Sequence, residues 1–110
     1  EKKINDAQVS SLPVGITAIL LRPQSEYVVE LRNNDYSRVN IQSITLNSSS
    51  ANFDLNLSSG QKEVFNVPTS DFCRSSQKIL VDILINYYSR YGLEKNEFVE
   101  NLVVYCEDLG

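Results

Sequence analysis

The sequence predicts an all-β domain. Three observations carry this. Short apolar runs alternate in residue parity. Turn chemistry recurs about every 8–12 residues. No helical stretch of roughly 10–15 residues separates successive runs, as a parallel α/β fold would require. At 110 residues the chain has room for one domain and one core.

Residues 1–12, EKKINDAQVSSL, are mostly polar, with Ile4 and Val9 as isolated apolar positions before Leu12. They read as a linker or as the end of an N-terminal helix. Pro13 then opens the domain, residues 13–110. Val14 to Leu21 is β-branched and apolar, a composition suited to a pleated surface, and Arg22-Pro23 stops it. Tyr27, Val29 and Leu31 alternate with Val28 and Glu30, predicting a half-buried strand. Asn33-Asn34-Asp35 is a turn signal, because Asn and Asp tolerate left-handed backbone.

Val39 and Ile41 share one parity, and Ile44 and Leu46 share the other. A parity flip inside one run predicts a β-bulge or a strand bending between sheets. Asn47-Ser48-Ser49-Ser50 is a second polar turn. Phe53, Leu55 and Leu57 then alternate with Asn52, Asp54 and Asn56. Ser58-Ser59-Gly60 turns the chain into Val64, Phe65 and Val67, which Pro68 ends. This rhythm is that of an immunoglobulin-like sandwich of about seven mostly antiparallel strands.

Residues 79–91, ILVDILINYYSRY, admit two readings. Lys78, Asp82, Asn86 and Ser89 fall at helical spacing, and Gly92 resembles a helix C-cap. Against that, Ile79, Val81, Ile83 and Ile85 are β-branched at every second position, which crowds a helix and suits a strand. The next run supports the strand. Phe98, Glu100, Leu102, Val104 and Cys106 share one parity, and Val99, Asn101, Val103 and Tyr105 the other. Residues 92–96 would join the two runs as a hairpin.

Composition removes several functions. The formal charge is −4, and the only basic pair is Lys2-Lys3. Nucleic acid and anionic membrane surfaces both demand concentrated positive charge, so neither is an expected partner. There is no histidine, which excludes Ser-His-Asp and Cys-His machinery. Carboxylate-only chemistry is the enzymatic route left, and no spacing points to it. No enzyme activity, cofactor or metal is expected, and no catalytic residue is assigned. No run reaches the ~18 apolar residues of a transmembrane helix. The chain starts at Glu1 and not Met, so the expectation is a soluble part of a longer protein.

Cys73 and Cys106 do not fill a tetrahedral metal shell by themselves, and no CxxC is present. A structural disulfide is expected from the even count and the secreted-looking composition; two buried thiols are the alternative. The bridge would add roughly 3–4 kcal/mol by loop entropy. Asn47-Ser48-Ser49 and Asn56-Leu57-Ser58 match the glycosylation sequon, making Asn47 and Asn56 candidate acceptors. Tyr87, Tyr88 and Tyr91 with Arg90 form a candidate contact surface. The competing reading, which we favour, packs these tyrosines on the sheet with hydroxyls at the rim. Asp71, or Glu107 with Asp108, lacks the spaced ligand loop of a Ca²⁺ site.

Three stretches resemble the extracellular β-domains of archaeal type IV pilin-like proteins. "YVVELRNNDYSRVNIQSITLN" is similar to their strand, Asn-Asn turn and strand. "LNLSSGQKEVFNV" resembles their hairpin. The run "ILVDILINYY" to "GLEKNEFVENLVVYC", bracketed by two cysteines, resembles their closing strands. Archaellum-associated surface β-domains, anchored by an N-terminal helix, are similar. The resemblance implies that EKKINDAQVSSLP is the remnant of an N-terminal apolar helix or its linker. It further implies a non-enzymatic structural domain of a cell-surface filament or surface-anchored accessory subunit, located outside the cell. Such a domain acts by assembly, through self-association or with other cell-surface proteins, and meets a membrane only through the missing helix. The alternative is an extracellular adhesion module recognising a surface protein or a glycan.

Overall fold

The computed structural model describes residues 9–107 and is all-β. Seven strands follow in order: β1 Val14–Arg22, β2 Glu26–Asn33, β3 Val39–Leu46, β4 Ser49–Leu57, β5 Lys62–Pro68, β6 Lys78–Tyr88 and β7 Glu94–Cys106. They form one mixed sheet in the order β4-β3-β6-β7-β1-β2-β5. Every neighbouring pair is antiparallel except β1 with β7, which run parallel. The sheet curls until it is nearly a barrel. Its two end strands meet through Phe53 of β4 and Phe65 of β5, whose rings pack edge to face at 5.0 Å. The seven strands and the all-β class match the sequence; two separate layers are not distinct in this single sheet.

The inner face follows from the alternation. Tyr27, Val29 and Leu31 of β2 are buried, as are Phe65 and Val67 of β5 and Val81, Ile83, Ile85 and Tyr87 of β6. Residues 78–88 are therefore strand, and the helical reading of 79–91 fails. Ile residues at every second position all point one way only on a pleated backbone. Gly92, at φ 77°, turns the β6–β7 hairpin and caps no helix. The Ser89 amide donates to the Leu93 carbonyl across that turn.

The parity flip in β3 is a bulge. Val39 and Ile41 point in, Gln42 is the extra residue, and Ile44 and Leu46 then point in. A second bulge lies in β7 and corrects the sequence reading there. Asn101 adopts φ 56°. Its amide donates to the Asp82 carboxylate at 2.9 Å. Val99 therefore points inward with Leu102, Val104 and Cys106, while Phe98 is exposed.

Turns also differ from expectation. Only Asn47 and Ser48 connect β3 to β4, because Leu46 already pairs with Ser49. Neither Asn33 nor Asn34 is left-handed. Asn33 instead ends β2 fully buried. Its Nδ2 donates to the Ser37 and Leu57 carbonyls, both at 2.9 Å. Its Oδ1 accepts from the Asp35 amide at 2.9 Å. It is the one buried polar residue among the described ones, and its bonds tie the following turn to the end of β4 at Leu57.

Residues 1–8 of the expected linker lie outside the described residues. Val9 and Ser10 have helical backbone, and Val9 is buried. Asn34 Nδ2 donates to the Ser10 carbonyl at 2.7 Å and the Leu12 carbonyl at 2.8 Å. Gly15 makes this approach feasible, since a Cβ there would overlap the Ser10 carbonyl oxygen.

Replacing Asn33 by Ala removes one buried and two part-buried bonds and strands two carbonyls. Chemical denaturation should show a loss of roughly 2–4 kcal/mol. A loss well under 1 kcal/mol would show that water substitutes for the amide.

Candidate functional site

The sites of interest lie along β1 and β7 and across the β3 bulge. β1 and β7 pair only at Leu20 with Tyr105 and Leu21 with Cys106. Beside that short ladder Cys73 and Cys106 form a disulfide, with Cα atoms 5.9 Å apart, so the free-thiol alternative falls. The Glu107 amide donates to the Leu21 carbonyl at 2.9 Å, and the Cys106 amide to the Gln77 carbonyl at 2.8 Å. Arg22 bridges Glu26 at 2.7 Å and Glu107 at 2.8 Å. The hydrogen bonds to Glu107 and then Glu26 raise the Arg22 pKa further above its ordinary value.

The loop carrying Cys73 is tied down from below. The fully buried Tyr27 donates its hydroxyl to the Asp71 carboxylate at 2.6 Å. Burial, and then this bond, push the Tyr27 hydroxyl well above the usual phenol range. Asp71 is thus committed to Tyr27 and Glu107 to Arg22, while Asp108 is outside the described residues. Among the described residues no three His, Cys, Asp or Glu side chains gather as a metal site.

The start of β1 has its own tie. Glu97, inward on β7 opposite Ile85, accepts from the Val14 amide at 3.5 Å. Burial raises the Glu97 pKa, against the opposing pull of the Val14 amide and Lys95. Burial also lifts the Tyr87 hydroxyl to about 12, with Glu97 and Asp35 adding to the rise. Between the two ties β1 and β7 diverge, leaving a groove of about 420 Å³ lined by Val9, Ile16, Ile19, Leu102 and Tyr105 among others. No family model and no curated protein matches the chain.

A second groove, also about 420 Å³, lies at the β3 bulge and is polar. Gln42, Ser43, Asn52, Asn86, Tyr88 and Glu94 line it, with Phe53 and Tyr87 at its floor. The sequence signalled the bulge but not the groove, because the side chains come from four strands. The candidate tyrosine surface does not hold together. Tyr87 is buried and points inward, opposite to Tyr88. Tyr88 borders the polar groove. Tyr91 is 79% exposed at the hairpin tip with the Arg90 guanidinium 5.3 Å from its ring centre.

Both sequon asparagines are exposed. Asn47 Oδ1 accepts from the Asp82 amide at 3.0 Å, and Asn56 Oδ1 from Asn40 at 3.0 Å. A further surface was not anticipated. Leu80 with Val103, Leu84 with Phe98, and Tyr105 stand on the outer face of the β6–β7 ladder. The alternation misled here, since apolar residues occupy both parities.

Glu97 sets a pH dependence. Its native pKa is raised, so the folded state binds a proton that the unfolded state has released just above the ordinary carboxylate value. Stability therefore falls as pH rises through that window. Glu97→Gln keeps an acceptor for Val14 and removes the charge. Thermal melts should show the variant more stable than the parent at pH 7, with the gain vanishing by about pH 4. An equal gain at both pH values would remove ionisation as the cause.

Proposed function

We propose that this chain is the outward-facing β-domain of a cell-surface filament subunit, pilin-like, or of a surface-anchored accessory subunit. Its work is assembly and not catalysis. An apolar helix upstream of Glu1 would pack in a filament core or a membrane, and the β-domain would face outward. Its partners would be copies of itself or other cell-surface proteins.

The observation that carries the reading is the fixed N-terminal arm. Val9 and Ser10 are helical in backbone, Val9 is buried in the β1–β7 groove, and Asn34 grips two carbonyls of the arm. A junction held this way passes the orientation of an upstream helix on to the domain, which a filament lattice needs and a flexible linker would not provide. The disulfide fits an oxidising, extracellular environment.

The immunoglobulin-like architecture belongs to the same proposal. In the strand order, β4-β3-β6-β7 would form one layer and β1-β2-β5 the other, with the parallel β1–β7 pair as the seam. At the ends of that order, β4 and β5 each have one unpaired side, an edge to which a neighbour's strand could add.

The coding sequence upstream of Glu1 tests the reading. It should encode a short charged leader and then an apolar segment of about 20 residues. An initiator Met directly before Glu1, or an upstream region without such a segment, would overturn it.

A further inference from the structure

We propose that the polar groove at the β3 bulge is a binding site for a neutral saccharide. The proposal stands independently of the filament reading.

The groove exists because three strands fall out of step at one place. Ile41 pairs with Tyr87 and Ser43 with Asn86, so Gln42 has no partner on β6. On β4, Leu55 pairs with Ile41 and Asn52 with Ser43, so Phe53 and Asp54 together stand opposite Gln42. The strands part there, and the opening of about 420 Å³ is within the ~300–1,000 Å³ range of small-molecule sites.

Two cross-strand rows run through it and beyond it. Asn52, Ser43, Asn86 and Asn96 form one, and Asn56, Asn40, Tyr88 and Glu94 form the other. Some of these groups are held in place. Asn86 Nδ2 donates to Ser43 Oγ at 3.0 Å, and Gln42 Nε2 donates to Asn40 Oδ1. Asn40 also donates to Asp54 at 2.9 Å and to Asn56 at 3.0 Å. By contrast, the side chains of Asn52, Tyr88 and Glu94 bond to no other described residue. An ordered frame thus presents free donors and acceptors beside aromatic surface, the mark of preorganised recognition.

The chemistry selects the ligand class. Among the described residues Glu94 is the only charged one lining the groove, and no cationic side chain does, so an anion is repelled. A lone carboxylate leaves most of a divalent cation's charge uncompensated, which disfavours a cation here. An apolar ligand would strand the amides without partners. An extended peptide binding by strand addition needs an open backbone edge, whereas β3 and β6 are each paired on both sides here. A neutral sugar matches what is left. Each hydroxyl both donates and accepts, as amides and Tyr88 require, and its C–H face suits the Tyr88 ring.

Titration of the ¹⁵N-labelled chain with chitobiose, mannobiose and lactose tests this, each to about 10 mM. With at least one sugar, saturable shifts should appear in the Gln42, Asn52 and Asn86 side-chain amides and at Tyr88 and Glu94. Tyr88→Ala and Asn52→Ala should each weaken that binding by about tenfold or more while keeping the parent's dispersed spectrum elsewhere. Leu80→Ser, on the distant apolar patch, should leave it unchanged. Saturable binding by none of the three sugars overturns the proposal, as does unaltered affinity in both groove variants. Tighter binding of glucuronic acid, or of an extended peptide, would overturn it as well.

Discussion

The two halves of the sheet, β4-β3-β6-β7 and β1-β2-β5, are joined through two residue pairs. Long antiparallel ladders join β6 to β7, β1 to β2 and β2 to β5. The parallel contact of β1 with β7, by contrast, is Leu20 with Tyr105 and Leu21 with Cys106. Parallel pairing is slightly weaker per residue, and two pairs alone are a thin hinge for a seven-stranded sheet. The Cys73–Cys106 bridge sits on this hinge, reinforced by the Glu107–Leu21 backbone bond and the Arg22 ion pairs. The exposed ion pairs add little in water. The bridge, which removes conformational freedom from the unfolded chain, adds much more.

The sequence spoke most clearly where one side chain meets one face. β-branched residues at every second position marked β6 as a strand, and opposite parities within one run marked an irregularity in β3, a bulge or a bend. Two cysteines in a small domain without histidine pointed to their bridge. Legibility ended where a residue's role depends on distant chain. Asn33 gave only its turn signal, because its buried partner lies at Leu57. The need for Gly15 was invisible because the carbonyl it accommodates belongs to Ser10. Between Phe98 and Cys106 apolar residues occupy both parities, so the Asn101 bulge left no trace. Tyr87 and Tyr88 are chemically alike, and only the pleat separates buried from exposed.

The same local irregularities generate the surfaces of interest. The divergence of β1 from β7 makes the groove that receives Val9, and thereby fixes the N-terminal arm. The extra residue in β3 opens the polar groove on neighbouring strands. Bulges of this kind re-aim side chains without breaking the core, because Ile41 and Ile44 on either side of Gln42 both remain fully buried. A proposed assembly role and a proposed saccharide site thus draw on different departures from regular pairing in one sheet.

The central claim is that the bridged β1–β7 seam holds the two halves of the sheet together. Amide hydrogen exchange, compared in oxidised and reduced protein, measures it most directly. On reduction, the Glu107 amide, bonded to Leu21, and the amides of β1 should lose protection first, while the β6–β7 hairpin amides stay protected. Equal loss in seam and hairpin, or no change at the seam, would contradict the account.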